Sequence, residues 1–186
     1  MSNPDKEAVL IDRLRDSRQR EKAFSQLVSE YGPLLYRHLM RMLHSSGDVD
    51  DVLQNTLVKT FRNLDRFRGD SKLSTWLFRI ATNEALTWLR SKKRRSNRMT
   101  TMNIADLGDH HLTADAYFDG DAAQLELQKA IATLPNKQRA VFALRYFEEM
   151  PYREISEITG TSEGALKASY HLAAKKIEQK LKAYAQ

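Results

Sequence analysis

Residues 64–95, with the sequence LDRFRGDSKLSTWLFRIATNEALTWLRSKKRR, decide how this chain is interpreted. A basic loop with one glycine leads here into an amphipathic segment that ends in a cluster of positive charge. At about 100° per residue, a helix over this segment has one polar face. That face carries Trp76, Arg79, Asn83, Thr87, Arg90 and Arg94. The opposite side carries Leu77, Ala81, Ala85 and Trp88, which predicts Trp88 for the core and Trp76 for the border of the polar face.

The polar face of this segment has two interpretations. An aromatic ring, amide and hydroxyl groups and several arginines suit stacking on bases and binding of phosphates. An ordinary amphipathic helix with a solvated basic side has the same pattern. The stretch alone leaves both interpretations open, so the rest of the chain has to decide between them.

Composition excludes several classes of protein. The 186 residues carry a net charge of +6, which makes an anionic partner plausible. The chain has no cysteine, so disulfide scaffolds, Cys-based zinc sites and thiol nucleophiles are excluded. The N-terminal residues are charged throughout, and no run approaches the ~18 apolar residues of a membrane span. We therefore expect a cytoplasmic protein without membrane insertion.

Helical spacing recurs along nearly the whole chain, which has only 7 glycines and 4 prolines. This pattern predicts an all-α protein. Six of the nine residues 90–98 are Lys or Arg, whereas residues 99–123 contain five aspartates and no Lys or Arg. The reversal of charge predicts two small helical domains, residues 1–98 and 124–186, joined by a flexible acidic linker at 99–123. The pair His110-His111 in that linker lacks a third ligand at suitable spacing, so we expect neither a metal site nor a cofactor.

The C-terminal part has the pattern of a helix-turn-helix. A helix over 152–159 and a long final helix are separated by the turn Gly160-Thr161-Ser162, and Ser162 is a suitable cap for the second helix. Polar, small and basic residues lie away from the apolar stripe of that second helix; the small ones permit close approach to a DNA groove, and the lysines supply phosphate contacts. The residues away from the stripe are Glu163, Gly164, Lys167, Ala168, His171 and Lys175. Helical hairpins with glycine turns also occur in proteins that bind no DNA.

Both halves together resemble the extracytoplasmic-function (group IV) sigma factors of bacterial RNA polymerase. The block GDVDDVLQNTLVKTF at 47–61 is similar to region 2.2 of that family, and residues 65–95 are similar to regions 2.3 and 2.4. The block LPNKQRAVFALRYFEEMPYREISEITGTSEGALKASYHLAAKKI at 134–177 is similar to region 4. The resemblance implies a sigma region 2 helical bundle and a sigma region 4 helix-turn-helix. It also implies a subunit that directs core polymerase to promoters, without an enzymatic activity of its own.

The resemblance implies three sets of site residues. The set expected to bind the β′ clamp helices of core polymerase is Asp51, Gln54, Asn55, Lys59 and Arg62. The set expected to recognise and melt the −10 element is Arg66, Arg68, Gly69, Lys72, Ser74, Trp76, Arg79, Asn83, Arg90, Lys93, Arg94 and Arg95. The set expected to read the −35 element is Ser162, Glu163, Lys167, Ala168, His171 and Lys175. Further implied partners are the β flap of polymerase and an anti-sigma factor, and we expect a monomer when the protein is free.

Two departures from the family pattern bear on these sets. Asn55 stands where the family commonly has glutamate, which weakens one expected clamp contact. Ser169, Leu172 and Ala174 stand where the family often has arginines, which predicts fewer phosphate contacts at −35. The alternative is a helix-turn-helix regulator that binds duplex DNA by itself, with its N-terminal half as a dimerisation or ligand domain. A helical adaptor that binds only protein leaves the basic cluster at 90–98 unexplained.

Overall fold

The computed structural model describes residues 4–100 and 122–184, and every regular element in those ranges is helical. The predicted all-α class is therefore confirmed. The helices are α1 (Pro4–Arg15), α2 (Arg20–Leu43), α3 (Ser46–Asn63), α4 (Leu73–Thr100), α5 (Ala122–Ala132), α6 (Asn136–Phe142), α7 (Tyr152–Thr159) and α8 (Glu163–Tyr184). A 3₁₀ turn, Leu64–Arg66, follows α3, and a π-helical turn, Ala143–Phe147, continues α6. Most of the predicted acidic linker, including His110-His111, lies outside the described residues.

The N-terminal half is a bundle in which α2 lies against α1, α3 and α4. Leu27, Leu35 and Leu39 of α2 are completely buried, because their spacing keeps them on one side of the helix. The N-cap of α3 is Ser45, whose hydroxyl accepts a hydrogen bond from the Asp48 backbone amide at 3.5 Å. Asp48 itself forms an ion pair with Lys92 of α4 at 2.7 Å. This carboxylate therefore fastens α3 to α4.

The C-terminal half has its own apolar cluster, to which Ile131 of α5, Phe142 of α6 and Ile177 of α8 contribute. Tyr146 and Tyr170 both stack on the Phe142 ring, at centroid distances of 5.1 and 5.6 Å. Gly160 has φ of +65° and ends α7 in the left-handed conformation, in which glycine is favoured. The turn then reverses the chain into α8 and completes the helix-turn-helix.

The two halves lie against each other. Val141, Leu144 and Ile155 belong to the same buried cluster as residues of α2 and α4. Polar contacts accompany this apolar interface: Arg41 of α2 pairs with Glu148, and its guanidinium lies 4.0 Å from the centroid of the Phe147 ring. Burial raises the pKa of Glu148, although the nearby Arg41 opposes that shift. The halves therefore share a continuous interior in addition to their covalent connection.

The two tryptophans differ in how they compare with the sequence prediction. Trp76 is 6% exposed and packs against Phe67, with ring centroids 5.1 Å apart. Trp88 is only partly buried, and Lys92 and Arg95 place their cations 5.5 and 4.9 Å from its ring centroid. The sequence placed Trp76 at the border of the polar face, but the structure buries it in the core, whereas Trp88 packs against the core cluster as predicted and is only partly buried. Helical periodicity does not reveal that a loop residue, Phe67, folds over Trp76.

The burial of His38 predicts that the free energy of unfolding falls in acid. The ring is completely buried, and its Nε2 lies 3.0 Å from the Thr82 hydroxyl. Burial, assisted by the charge of Arg41, lowers the pKa of His38 from 6.5 to about 3. Between these pH values the unfolded chain binds a proton that the folded chain does not bind. The free energy of unfolding should therefore fall as pH decreases below 6.5, by up to about 1.4 kcal/mol per pH unit.

Urea unfolding of the wild type and of His38→Leu between pH 7 and pH 4.5 measures this dependence. We expect a shallower pH dependence in the variant. A residual slope of the same sign should remain, because burial and the charge of Arg139 also lower the pKa of His44, to about 4. Equal slopes in the two proteins would contradict the assignment to His38.

Candidate functional site

The exposed face of α3 carries the first predicted set. Asp51, Gln54, Asn55, Lys59 and Arg62 are all exposed, as the sequence predicted. Lys59 also forms an ion pair at 2.6 Å with Glu84, which connects this face to α4. Within residues 4–100 and 122–184, Asp51, Gln54, Asn55 and Arg62 form no ion pair, so their polar groups are available to a partner.

The sequence prediction missed two apolar residues on the same face. Val58 is 42% exposed and lies among Asp51, Asn55 and Arg62. Phe61 is 38% exposed and contacts Phe24 edge to face, with ring centroids 5.0 Å apart. An exposed apolar centre with a polar rim is the usual anatomy of a protein-binding surface. The polar residues alone did not reveal this centre.

The basic loop, residues 66–74, leads from the 3₁₀ turn into α4. Arg66, Arg68 and Lys72 are exposed, while Phe67 and Leu73 are buried and anchor the loop at two points. Gly69 has φ of +85°, where a side chain would strain the backbone. The turn at Gly69 therefore keeps the three cations on the outside of the loop.

Two residues of α1 position the basic loop, and no local sequence signal identified them. The Leu73 backbone amide, at the start of α4, donates a hydrogen bond to Glu7 at 2.8 Å. The Arg15 guanidinium donates to the carbonyl oxygens of Phe67 and Arg68 at 3.2 and 3.4 Å. Both contacts connect residues more than fifty positions apart. A contact of this kind becomes visible only once the chain is folded.

The Glu7 contact predicts a change in loop stability. Glu7→Ala leaves the Leu73 amide without its partner, which should cost about 1–2 kcal/mol of unfolding free energy. Glu7→Gln retains a carbonyl acceptor and should retain most of that stability. Amide hydrogen exchange at Leu73, measured together with chemical unfolding, should be faster in the alanine variant than in the glutamine variant. Identical exchange in the two variants would show that Glu7 does not hold the loop.

A hollow of about 560 Å³ lies between the basic loop and α4. It is lined by Arg66, Phe67, Arg68, Asp70, Ser71, Trp76, Arg79 and Glu157. Three of these are arginines and one is the tryptophan Trp76. The structure thus brings Arg66, Arg68, Trp76 and Arg79 of the predicted −10 set together. The volume of the hollow and the side chains that line it suit a planar polar group next to an anion.

The rest of the predicted −10 set lies along the exposed side of α4. Asn83 is exposed one helical turn beyond Arg79. Arg90 lies about 16 Å from Arg79 by the rise of the helix. It is oriented by bonds to the Leu86 carbonyl and the Thr87 hydroxyl at 3.1 and 3.2 Å. Lys93, Arg94 and Arg95 follow on the helix and are also exposed, whereas Lys92 forms an ion pair with Asp48. Set members thus extend from the hollow to the end of the helix.

The predicted −35 set lies at the start of α8. Ser162, Glu163, Lys167, Ala168, His171 and Lys175 are all exposed. The Ser162 hydroxyl accepts a hydrogen bond from the Ala165 amide at 3.5 Å, as expected for the cap of this helix. The ammonium of Lys167 lies 5.8 Å from the centroid of the Tyr152 ring, which orients that side chain. The helix therefore presents small and cationic side chains on one side.

An apolar groove lies on another side of the C-terminal half, with a volume of about 520 Å³. Leu127, Phe142, Tyr146, Tyr170, Ala174, Ile177, Glu178, Leu181 and Lys182 line it. Tyr146 is 51% exposed, so much of this aromatic wall faces water. An exposed apolar groove with aromatic walls is a typical surface for a helix of another protein.

Two family descriptions match the chain. Residues 27–95 match Sigma-70 region 2, and residues 124–177 match Sigma-70, region 4. Among curated relatives, ECF RNA polymerase sigma factor SigW of Bacillus subtilis is 32% identical over 87% of this chain and 90% of its own length. ECF RNA polymerase sigma-E factor of Escherichia coli is 31% identical over 97% of each chain.

Solved structures give the same result. The sigma factor RpoE from Bartonella quintana, in complex with the anti-sigma factor NepR, superposes with a TM-score of 0.70. That likeness covers 87% of this chain and 98% of the other, at 25% identity. CnrH in complex with the cytosolic domain of CnrY superposes with a TM-score of 0.68, covering 96% and 99% of the two chains at 25% identity. None of the helices in residues 4–100 and 122–184 combines the length and the apolar character that a membrane crossing requires.

Proposed function

Because the chain belongs to the extracytoplasmic-function group of sigma-70 RNA polymerase sigma factors, we propose that its three exposed surfaces divide the work of promoter recognition. A sigma factor directs transcription by core polymerase. The single observation that best supports this assignment of separate roles to three surfaces is the basic hollow beside α4. We further propose that the protein has no catalytic activity of its own and acts in the cytoplasm.

The α3 face is proposed to bind the β′ clamp helices. Its polar residues Asp51, Gln54 and Arg62 surround the exposed Val58. Apolar contact at the centre contributes affinity, and the charges at the rim fix the orientation of the partner. The apolar groove of the C-terminal half is proposed to accept a helical segment of the β flap.

The basic loop and α4 are proposed to hold the melted −10 strand. Opening duplex DNA costs on the order of 1–2 kcal/mol for each stacked pair. Stacking on an aromatic ring contributes about 1–3 kcal/mol for each base, and Trp76 lines the hollow. Arg66, Arg68 and Arg79 surround the same hollow and neutralise phosphates, so the site offsets the cost of melting.

The start of α8 is proposed to enter the major groove at −35. Lys167 and Lys175 supply phosphate contacts, while Ala168 permits close approach of the helix. Glu163 and His171 are the candidates for reading base edges. An anti-sigma factor is proposed as a further partner, because structural neighbours of this chain form complexes with such proteins or with a cytosolic domain.

Run-off transcription with purified core polymerase on a genomic promoter library tests the function. The wild type should join the core enzyme and give discrete start sites. The alternative, a regulator that binds duplex DNA by itself, predicts binding to a palindrome without core polymerase. Failure to join core polymerase would overturn the proposed division of surfaces.

Asn83→Ala tests the −10 assignment. We expect a loss of open-complex yield of about tenfold with unchanged core binding, because one good base-edge contact is worth about 1–3 kcal/mol. The matched control is Gln179→Ala, which removes another exposed amide near the end of α8. If both variants melt promoters like the wild type, Asn83 does not read the strand.

A further inference from the structure

A cavity of about 180 Å³ lies where α2 meets α5 and the π-helical turn. Its lining shares no residue with the α3 face, the −35 set, the hollow beside the basic loop or the apolar groove. Two of its lining residues, Arg37 and Gln124, are exposed, so the cavity opens to solvent. The proposed contacts with polymerase and promoter therefore do not account for this cavity.

The cavity presents two cations. Arg37 and Arg41 lie one turn apart on α2, and the lining contributed by the described residues contains no carboxylate. The Glu148 carboxylate engages one terminal nitrogen of Arg41, Nη1. The Arg37 side chain forms no ion pair or hydrogen bond within residues 4–100 and 122–184. Burial lowers the pKa of Arg41, Glu148 opposes this shift and the charge of Arg37 adds to it. One carboxylate thus neutralises only part of this charge, and an anion is the complement that the cavity lacks.

An amide supplies the third polar group of the cavity. Gln128 of α5 lines the cavity, and only 7% of the residue is exposed. Its side chain has no hydrogen-bond partner among residues 4–100 and 122–184. A buried amide without a partner carries a desolvation cost that a hydrogen-bonding ligand removes. The amide and the two guanidinium groups therefore converge on one space.

The remaining walls of the cavity are largely apolar. Tyr36 and Phe147 contribute aromatic rings, and Met40 contributes a thioether, which adapts its shape to a neighbouring ring. An apolar cavity of about 150 Å³ holds one benzene molecule, so this cavity has room for one aromatic ring with a carboxylate attached. Apolar walls with a few convergent polar groups are the usual composition of a small-molecule site.

We propose that this cavity binds a small aromatic carboxylate. The carboxylate pairs with Arg37 and with the nitrogens of Arg41 that Glu148 leaves free. The Gln128 amide donates a hydrogen bond to the same carboxylate, and the ring of the ligand lies against the Phe147 side chain. An inorganic anion would leave the apolar walls uncovered, and an uncharged aromatic would leave Arg37 without a partner. The sigma factor thus has a ligand site that is separate from its promoter contacts.

The test uses the full-length chain and two probes, para-fluorobenzoate and a fluorinated indole carboxylate. Fluorine NMR should show saturable binding of at least one acid, with a Kd of about 0.1–3 mM for a ligand of this size. That acid, at about 10 mM, should raise Tm by about 3–8 °C, because it binds only the folded chain. The amide of the same acid has a similar shape without the charge, and it should bind at least about tenfold more weakly.

Three variants locate the binding site. Arg37→Gln should weaken binding of the acid about tenfold, and Gln128→Leu should weaken it about threefold to tenfold. Arg18→Gln is the matched control, because Arg18 is exposed in the turn before α2, about 25 Å from Arg37 by the rise of that helix. The side-chain amide signal of Gln128, identified by its absence from the leucine variant, should shift when the acid is added. Circular dichroism verifies that each variant is folded.

Four results would overturn the proposal. They are no saturable binding of either acid, equal binding of the acid and its amide, equal binding by wild type and Arg37→Gln, and displacement of the acid by an equal concentration of inorganic phosphate. The last result would indicate a general anion site without preference for a ring. None of these results bears on promoter recognition, which run-off transcription tests separately.

Discussion

Replacing Arg139 with methionine is expected to lower the free energy of unfolding by about 3–5 kcal/mol. The Arg139 guanidinium is nearly buried and donates to three carbonyl oxygens. These belong to Met42 at 2.7 Å, Ala132 at 2.6 Å and Leu134 at 3.1 Å. Methionine fills a similar volume but leaves all three acceptors unpaired in the interior. Unpaired buried acceptors carry their desolvation cost without compensation.

The position of Arg139 explains why the effect should be large. Ala132 and Leu134 are at the end of α5 and in the turn before α6, while Met42 is in the last turn of α2. The Arg139 guanidinium therefore caps the C-terminal end of α5 and connects it to α2 of the N-terminal half. Burial lowers the pKa of the Arg139 guanidinium, which shows that the site already bears a desolvation cost that the carbonyl contacts offset.

Chemical unfolding of Arg139→Met, Arg139→Lys and Arg153→Met measures this effect. The lysine variant retains the charge but not the planar fork, so it should lose more than half of the stabilisation. Arg153 is the matched control, because its side chain is 86% exposed and pairs with Glu157 at the long distance of 3.9 Å. A loss of stability in Arg139→Met no larger than that in Arg153→Met would contradict the role of the three carbonyl contacts.

Helical periodicity was sufficient to predict α7 and α8, because each carries a regular apolar stripe and the turn Gly160-Thr161-Ser162 separates them. Sequence reasoning was insufficient where the chemistry of one residue suits two different roles. Asp48 has the chemistry of an N-cap, yet Ser45 caps α3 and Asp48 pairs with Lys92. Periodicity also failed to predict that Trp76 is more deeply buried than Trp88. Their burial depends on Phe67 and on the cations of α4, which lie outside the periodic pattern of apolar residues.

The predicted site residues differ in how far the sequence determined them. Exposure of the α3 and α8 sets followed from the helical faces alone. The supporting contacts of the basic loop did not, because Glu7 and Arg15 reach it from α1 across more than fifty residues of sequence. The contact of Glu154 with Lys72 spans 82 residues. Such contacts depend on the packing of the helices, which neither composition nor spacing specifies.

Replacing Val58 with glutamate is expected to weaken binding of core polymerase by about 30- to 150-fold, which corresponds to about 2–3 kcal/mol. At about 100° per residue, Val58 lies near the middle of the arc that contains Asp51, Asn55 and Arg62. An exposed valine there gains nothing for the free protein, because its side chain faces water. Its position is explained if a partner covers it. A carboxylate at the centre of the covered area would lose its hydration when the partner docks.

Titration of labelled core polymerase with Val58→Glu and with Val9→Glu measures the effect. Val9 is the matched control, because it is 58% exposed on α1, outside the α3 face. Both changes replace an exposed helical valine by the same charged residue, so their effects on folding and net charge should be similar. Only Val58→Glu should lose polymerase affinity. Equal binding by the two variants would place the polymerase contact elsewhere, and the apolar centre of the α3 face would then need a different partner.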